Sequence, residues 1–269
     1  HYVISNGGDQ PNVVPSSARV WYFIREVSAD GIRNNFSTLH QIAEGASLMT
    51  DTSMSRRIVG AAYPRHFNRP IALAMDENIK KIGLPSWSEN DQQFAKALQT
   101  LMGAEEPEGL ATELAGITPD LEQPISGGSD DIGDISWNVP TVTLRYPSNV
   151  RGLQGHHWSS AMAMATPIAH KGAIAGAKVM ASTMLDLISN DTLVEEAQNY
   201  FDDVQTAEEQ YRPFISPDDP PAIDKNQDIM AKFKPMLEEL YYDPDRFETY
   251  LDQLGIDYPQ LTPTEIRRN

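Results

Sequence analysis

The chain has no cysteine, no run of about eighteen apolar residues, and little positive charge, with 21 Lys and Arg against 38 Asp and Glu in 269 residues. Without cysteine there is no disulfide and no thiolate nucleophile or metal ligand, although the compartment stays open because reducing and oxidising spaces both tolerate cysteine-free proteins. Without a long apolar run there is no membrane-spanning helix to expect. The first residues carry neither the basic nor the apolar stretch of a secretory leader, which says little about location; a cytoplasmic location is favoured. Periplasmic or secreted locations stay open, because the visible N-terminus is not taken to be the translated one. A net charge of −17 repels phosphate backbones and anionic headgroups, so neither nucleic acid nor a membrane is an expected partner.

A hydrophobic content of 40%, with 8% aromatics, is enough for a real core in one large or two smaller domains. The patterning is that of an α/β protein. Residues 18–27 alternate, with Val20, Tyr22 and Ile24 on one face and Trp21, Phe23 and Arg25 on the other, which predicts a strand. Ile32, Phe36, Leu39, Ala43 and Ala46 recur at helical spacing, and residues 57–62 read as a second strand before an exit between Pro64 and Pro70. Ile71, Met75, Ile79 and Ile82 form a further helical stripe, stopped by Gly83 and Pro85. Ser88 and Asp91 have the spacing of a capping box, with Phe94, Leu98 and Leu101 as the buried side of the helix it opens. Residues 103–126 lose all periodicity and read as a loop. Near the end, Phe247, Tyr250, Leu251 and Leu254 predict a short amphipathic helix in an acidic tail.

Two regions carry candidate chemistry. In the first, His1, Asn12 and Arg25 flank the paired-glycine turn Gly7-Gly8, a polar set suited to an anionic substrate. In the second, Gly127-Gly128-Ser129-Asp130-Asp131-Ile132-Gly133-Asp134 combines flexible backbone with three carboxylates. It is followed by an expected short strand at Thr141–Arg145 and then by Gly155-His156-His157-Trp158. Glycines let backbone N–H groups approach an anion closely, and a neutral imidazole beside Trp makes a good zinc ligand. Adjacent histidines rarely serve one metal, so only one of His156 and His157 is a candidate. The plainer readings are that Asp130, Asp131 and Asp134 are turn and cap residues, that His40 and His66 are structural, and that His170 orients a helix. The spacing of Asp130, Asp131 and Asp134 also matches the DDxxD pattern of diphosphate-binding helices. Gly128, Gly133 and Pro140 argue there for a turn, and that reading is rejected.

Taken together, several blocks resemble the M20 family of metal-dependent amidohydrolases and carboxypeptidases, most closely the branch containing p-aminobenzoyl-glutamate hydrolase. They are His1-Tyr2-Val3-Ile4 with Gly7-Gly8, Pro11 to Pro15, Tyr22 to Arg25, Gly128 to Ser136, Gly155 to Trp158 and Ala165 to Gly172, and they cover about residues 1–190. The resemblance is to the C-terminal part of such an enzyme. It implies an α/β chain, with residues 1–67 part of a small ferredoxin-like lid and dimerisation domain. Residues 68–269 would then be part of a zinc-peptidase-like catalytic domain with an acidic C-terminal extension. It further implies two divalent metal ions, zinc or alternatively manganese, and a homodimer formed through the lid. By position, His1 matches a lid histidine that helps stabilise the oxyanion. Asn12 and Arg25 match residues gripping the substrate carboxylate, and Gly128, Ser129 and Asp131 lie in the loop that shapes the site. His156 matches the last metal ligand, with His157 standing where serine is usual, so the choice within the pair stays open. The implied activity is hydrolysis of the amide bond in an N-acyl or N-aroyl amino acid with a free carboxylate. The remaining metal ligands and the catalytic glutamate of the family lie upstream of the lid, so the N-terminal half is expected as a separate or cleaved partner chain. The alternative is a non-catalytic binding or assembly subunit that kept the lid and lost the metal site.

Overall fold

The structure, a computed structural model, describes residues 1–117 and 128–258. Gly127 and part of the expected loop at 103–126 lie outside the described residues. In chain order the helices and strands are β1 (Tyr2–Asn6), β2 (Arg19–Tyr22), α1 (Ala29–Met49), α2 (Arg69–Ile82), α3 (Glu89–Leu101), α4 (Ile132–Ser136), α5 (Trp158–Met164), α6 (Pro167–Ser189), α7 (Asp191–Tyr200), α8 (Gln227–Glu238) and α9 (Tyr250–Gln253). They fall into two compact units. One takes His1–His66, Gln210–Ala222 and the described part of Gln123–Asn138; the other takes Phe67–Glu122, Val139–Glu209 and Ile223–Asn269 as far as these are described.

In the first unit β1 and β2 pair antiparallel, with Tyr2 opposite Tyr22, Val3 opposite Trp21 and Ile4 opposite Val20. Aromatic and β-branched residues facing each other across a ladder are what stabilise such a pair. A bulge falls between Ile4 and Asn6. The connecting loop needs Gly8, whose φ of +99° suits only glycine and whose place a Cβ would crowd against Pro15 at 3.2 Å. The regular part of the expected strand 18–27 is confined to Arg19–Tyr22, although the Phe23 N–H still bonds the His1 carbonyl at 2.8 Å. Helix α1 opens on Ser28, whose hydroxyl accepts the Gly31 N–H at 3.1 Å. Ile32, Phe36, Leu39 and Ala43 of its stripe are half-buried. The second strand expected at 57–62 does not form. A strand persists only where a neighbour takes its N–H and C=O groups, and among the described residues the sheet has two strands, β1 and β2.

The second unit is helical. Asn68, fully buried, caps α2 through its Oδ1 and sends its Nδ2 to the Ala197 carbonyl at 2.8 Å and Gln205 Oε1 at 2.9 Å, which ties α2 to the end of α7. The capping box expected at Ser88 is present in both directions, Asp91 N–H to Ser88 Oγ at 3.2 Å and Ser88 N–H to Asp91 Oδ2 at 2.7 Å. Phe94, Ala95 and Leu98 of α3 form a core with Leu110, Val150, Ala163 and Ile168. Burial of such side chains contributes about 1.5–3 kcal/mol each. Residues 141–145, expected as a strand, are irregular; they run beside the small face of α6, where Gly176 leaves room for Tyr146. The amphipathic helix near the end shrinks to Tyr250–Gln253, with a capping box of Thr249 and Asp252 and a stop at Gly255, whose φ is +66°.

Candidate substrate-binding site

The first unit brings Arg25 onto the glycine-rich loop. Its Nη1 donates to Ser129 Oγ at 2.8 Å, joining positions 104 residues apart, and its guanidinium carbon lies 5.3 Å from the centre of the Phe23 ring. Gly128, Ser129, Asp130 and Asp131 are all exposed here. His1 stands at the same end of the ladder: its backbone pairs with Phe23, two residues before Arg25. Asn12 sits at the other end, in the turn of the loop joining the two strands.

The three carboxylates of the loop do three different things. Asp131 is the residue before α4; its carbonyl accepts the Ile135 N–H at 3.1 Å, and its side chain makes no capping bond. Asp130 lies 3.5 Å from the Arg65 guanidinium. Asp134 faces inward from α4, with Oδ2 accepting the Tyr63 N–H at 3.1 Å and Oδ1 accepting the Tyr211 hydroxyl at 2.8 Å. Sequence reasoning expected a turn at this point. A single helical turn forms instead, and Gly133 is required in it because a Cβ there would overlap the Tyr63 carbonyl oxygen. With Asp134 committed to Tyr63 and Tyr211, the three aspartates do not form a cation-binding set. Among the described residues no group of three or more His, Asp or Glu side chains is placed to hold a metal ion.

Tyr63, Tyr211 and Phe214 escaped the sequence reading. Tyr63 is 2% exposed and carries the Phe214 ring stacked at 4.9 Å, with the Tyr211 and Trp137 rings edge-on at 5.1 and 5.2 Å. Arg33 lies over Phe214 at 5.1 Å and bonds the Tyr63 hydroxyl at 3.1 Å. Burial first, and then the bond to Asp134, push the Tyr211 phenol up to about 12. The only hint in the sequence is a Tyr and a Phe three apart around Pro213, in a stretch with no periodicity.

His156 belongs to the second unit. It follows Gly155 with a φ of +57° and is exposed. His157 caps α5: its Nδ1 accepts the Ser159 N–H at 3.3 Å and lies 2.9 Å from Ser159 Oγ. The structure therefore sorts the pair, committing the His157 Nδ1 to a helix end and leaving the His156 ring in solvent. Trp158, expected as a wall beside the histidines, is 52% exposed, its ring 5.1 Å from that of His157. His40 pairs with Glu44 at 3.2 Å, the His66 ring lies 4.5 Å from Trp137, and His170 is exposed on α6.

Over 74% of its length the chain is similar to a curated hydrolase subunit. That relative is a p-aminobenzoyl-glutamate hydrolase subunit of Escherichia coli (strain K12), 30% identical over 223 residues. The chain resembles this subunit and spans about half (46%) of its length. No family model and no solved structure matches it. Among the described residues no helix is long and apolar enough to cross a membrane.

Proposed function

We propose that this chain takes part in hydrolysing the amide bond of an N-acyl or N-aroyl amino acid that bears a free carboxylate, of the p-aminobenzoyl-glutamate kind. The observation that carries the reading is the meeting of Arg25 with Ser129 on the glycine-rich loop. A planar guanidinium is the side chain best matched to a carboxylate, and a serine hydroxyl beside it adds a rotatable donor. The similarity to a hydrolase subunit supports the reaction class. On this reading Arg25, Ser129 and Asn12 hold the carboxylate, the Gly128 backbone allows its close approach, and Asp131 shapes the loop. His1 stabilises the oxyanion.

The two divalent ions implied by the resemblance have no matching donor set here. His156 offers one imidazole, and the described residues add no cluster around it. The proposal places the remaining ligands on a partner chain, as the word "subunit" in the relative's name suggests for that protein, and pairs the lids in a homodimer.

The test is binding of p-aminobenzoyl-glutamate to the chain by isothermal titration. Arg25→Ala removes the pairing of an exposed guanidinium with the carboxylate and weakens Kd by about tenfold or more. An unchanged Kd in Arg25→Ala sinks the carboxylate assignment. Release of p-aminobenzoate by the chain together with its partner chain, after adding zinc or manganese, reports the hydrolysis itself.

A further inference from the structure

Asp134 and Tyr211 meet just past the loop bearing Ser129, where it enters α4. The loop runs directly into α4, and α4 is fastened to the segment Tyr63–His66 along its whole length. Asp134 Oδ2 takes the Tyr63 N–H at 3.1 Å, the Trp137 indole N–H reaches the Pro64 carbonyl at 2.7 Å, and the His66 N–H points to Ser136 Oγ at 3.4 Å. Gly133 has its backbone against the Tyr63 carbonyl, so closely that no side chain fits between. The second oxygen of Asp134 takes the Tyr211 hydroxyl at 2.8 Å. A third stretch of chain thereby clamps the helix. Tyr211 also packs edge-on against the Tyr63 ring at 5.1 Å, so it touches both sides of the junction it closes.

We propose that Asp134 and Tyr211 are positioning residues for the Arg25–Ser129 site: their hydrogen bond fixes α4 against Tyr63 and so sets where Ser129 stands when a carboxylate arrives. The inference rests on the reading of Arg25 and Ser129 as the carboxylate site. The physical basis is that a hydrogen bond to a carboxylate is stronger than a neutral one, and that a binding group held in place loses less freedom on meeting its ligand. Neither residue touches the ligand. Ser129 lies five residues before Asp134, within reach of any shift in the start of α4, and it also carries the Arg25 contact.

Two measurements on the full chain test this. The first is a double-mutant cycle on the Kd for p-aminobenzoyl-glutamate, using Tyr211→Phe, Arg25→Ala and both together. Tyr211→Phe keeps the ring in the aromatic cluster and removes only the hydroxyl. It weakens binding about five- to tenfold in the wild-type background and has little further effect once Arg25 is gone. Equal effects in both backgrounds, or none in either, overturn the proposal, because a general loss of packing adds independently of Arg25. The second is hydrogen exchange. The Gly133 and Ile135 amides bond the Asp130 and Asp131 carbonyls. They exchange about tenfold faster in Tyr211→Phe and in Asp134→Asn, while the β1–β2 amides stay as in the wild type. Unchanged protection at 133–135 also overturns the proposal. A wild-type chain that does not bind p-aminobenzoyl-glutamate overturns the carboxylate reading instead, a failure told apart from that of the clamp because the exchange experiment uses no ligand.

Discussion

Asp91 shows most directly how one side chain is held by groups from far along the chain. Fully buried, it closes the capping box with Ser88, takes the Lys171 ammonium at 2.5 Å and accepts the Tyr258 hydroxyl at 2.9 Å. Burial works to raise its pKa; Lys171, both bonds to Ser88 and Tyr258 outweigh it and hold the carboxyl below its ordinary value. A carboxyl whose folded pKa is depressed adds stability above its unfolded pKa and loses it as pH falls through the folded one. The second unit is therefore expected to weaken below about pH 4. Lys171→Met leaves the buried carboxylate without its cation and is expected to cost on the order of 2–3 kcal/mol in urea unfolding at neutral pH, and to flatten the acid limb of the stability curve. The Ser88 and Asp91 half of this arrangement was legible in the sequence because a capping box is local. The other half was not, because Lys171 and Tyr258 lie 80 and 167 positions away from Asp91.

At the scale of elements, close backbone approach decides which substitutions are tolerated. A Cβ on Gly172 of α6 would overlap the Pro147 carbonyl, whereas at Gly176 the nearest atom, in Tyr146, is 3.3 Å away. Gly172→Ala is expected to destabilise by about 1–3 kcal/mol and Gly176→Ala by clearly less, read as the difference in urea midpoint at unchanged slope. The clamp on α4 has its own pH signature. Tyr211 has a raised pKa, so its bond to Asp134 adds stability below the ordinary phenol value near 10 and loses it as pH rises towards about 12. Tyr211→Phe is expected to remove that alkaline loss, measured by circular dichroism between pH 9 and pH 12. Helices with long stripes, α1 to α3, were readable from periodicity. Helix α4 was hidden by Gly133, a residue that marks a turn in most sequences and here marks contact with Tyr63. The strand patterns at 57–62 and 141–145 record extended, half-apolar segments, but a ladder also needs a neighbouring strand, which alternation alone cannot reveal.

For the whole molecule, charge is the dominant long-range term. With a net charge of −17, folding brings like charges together, and screening them should raise the thermal midpoint between low salt and about 0.3 M NaCl, where the Debye length is down to about 5–6 Å. A midpoint that is flat or falling with salt would mean that local pairs such as Lys171 with Asp91 outweigh the global repulsion. In the first unit, Arg25 and the glycine-rich loop stood out in the sequence as residue types. The contact between Arg25 and Ser129 was not legible there, since nothing in the spacing of two polar residues 104 positions apart marks them as neighbours.

The first unit is assembled from separate stretches of one chain, and its last stretch begins at Gln210. That has a consequence in time. A ribosome adding about 5–20 residues per second needs roughly 7–30 s to travel from His66 to Gln210, far longer than a hairpin or helix takes to form. Through that interval Tyr63 is made but Tyr211 and Phe214 are not, so its ring waits without two of the partners that later bury it. Nascent chains halted before residue 210 should bind chaperones and proteases at this cluster, and release past Phe214 should end that exposure.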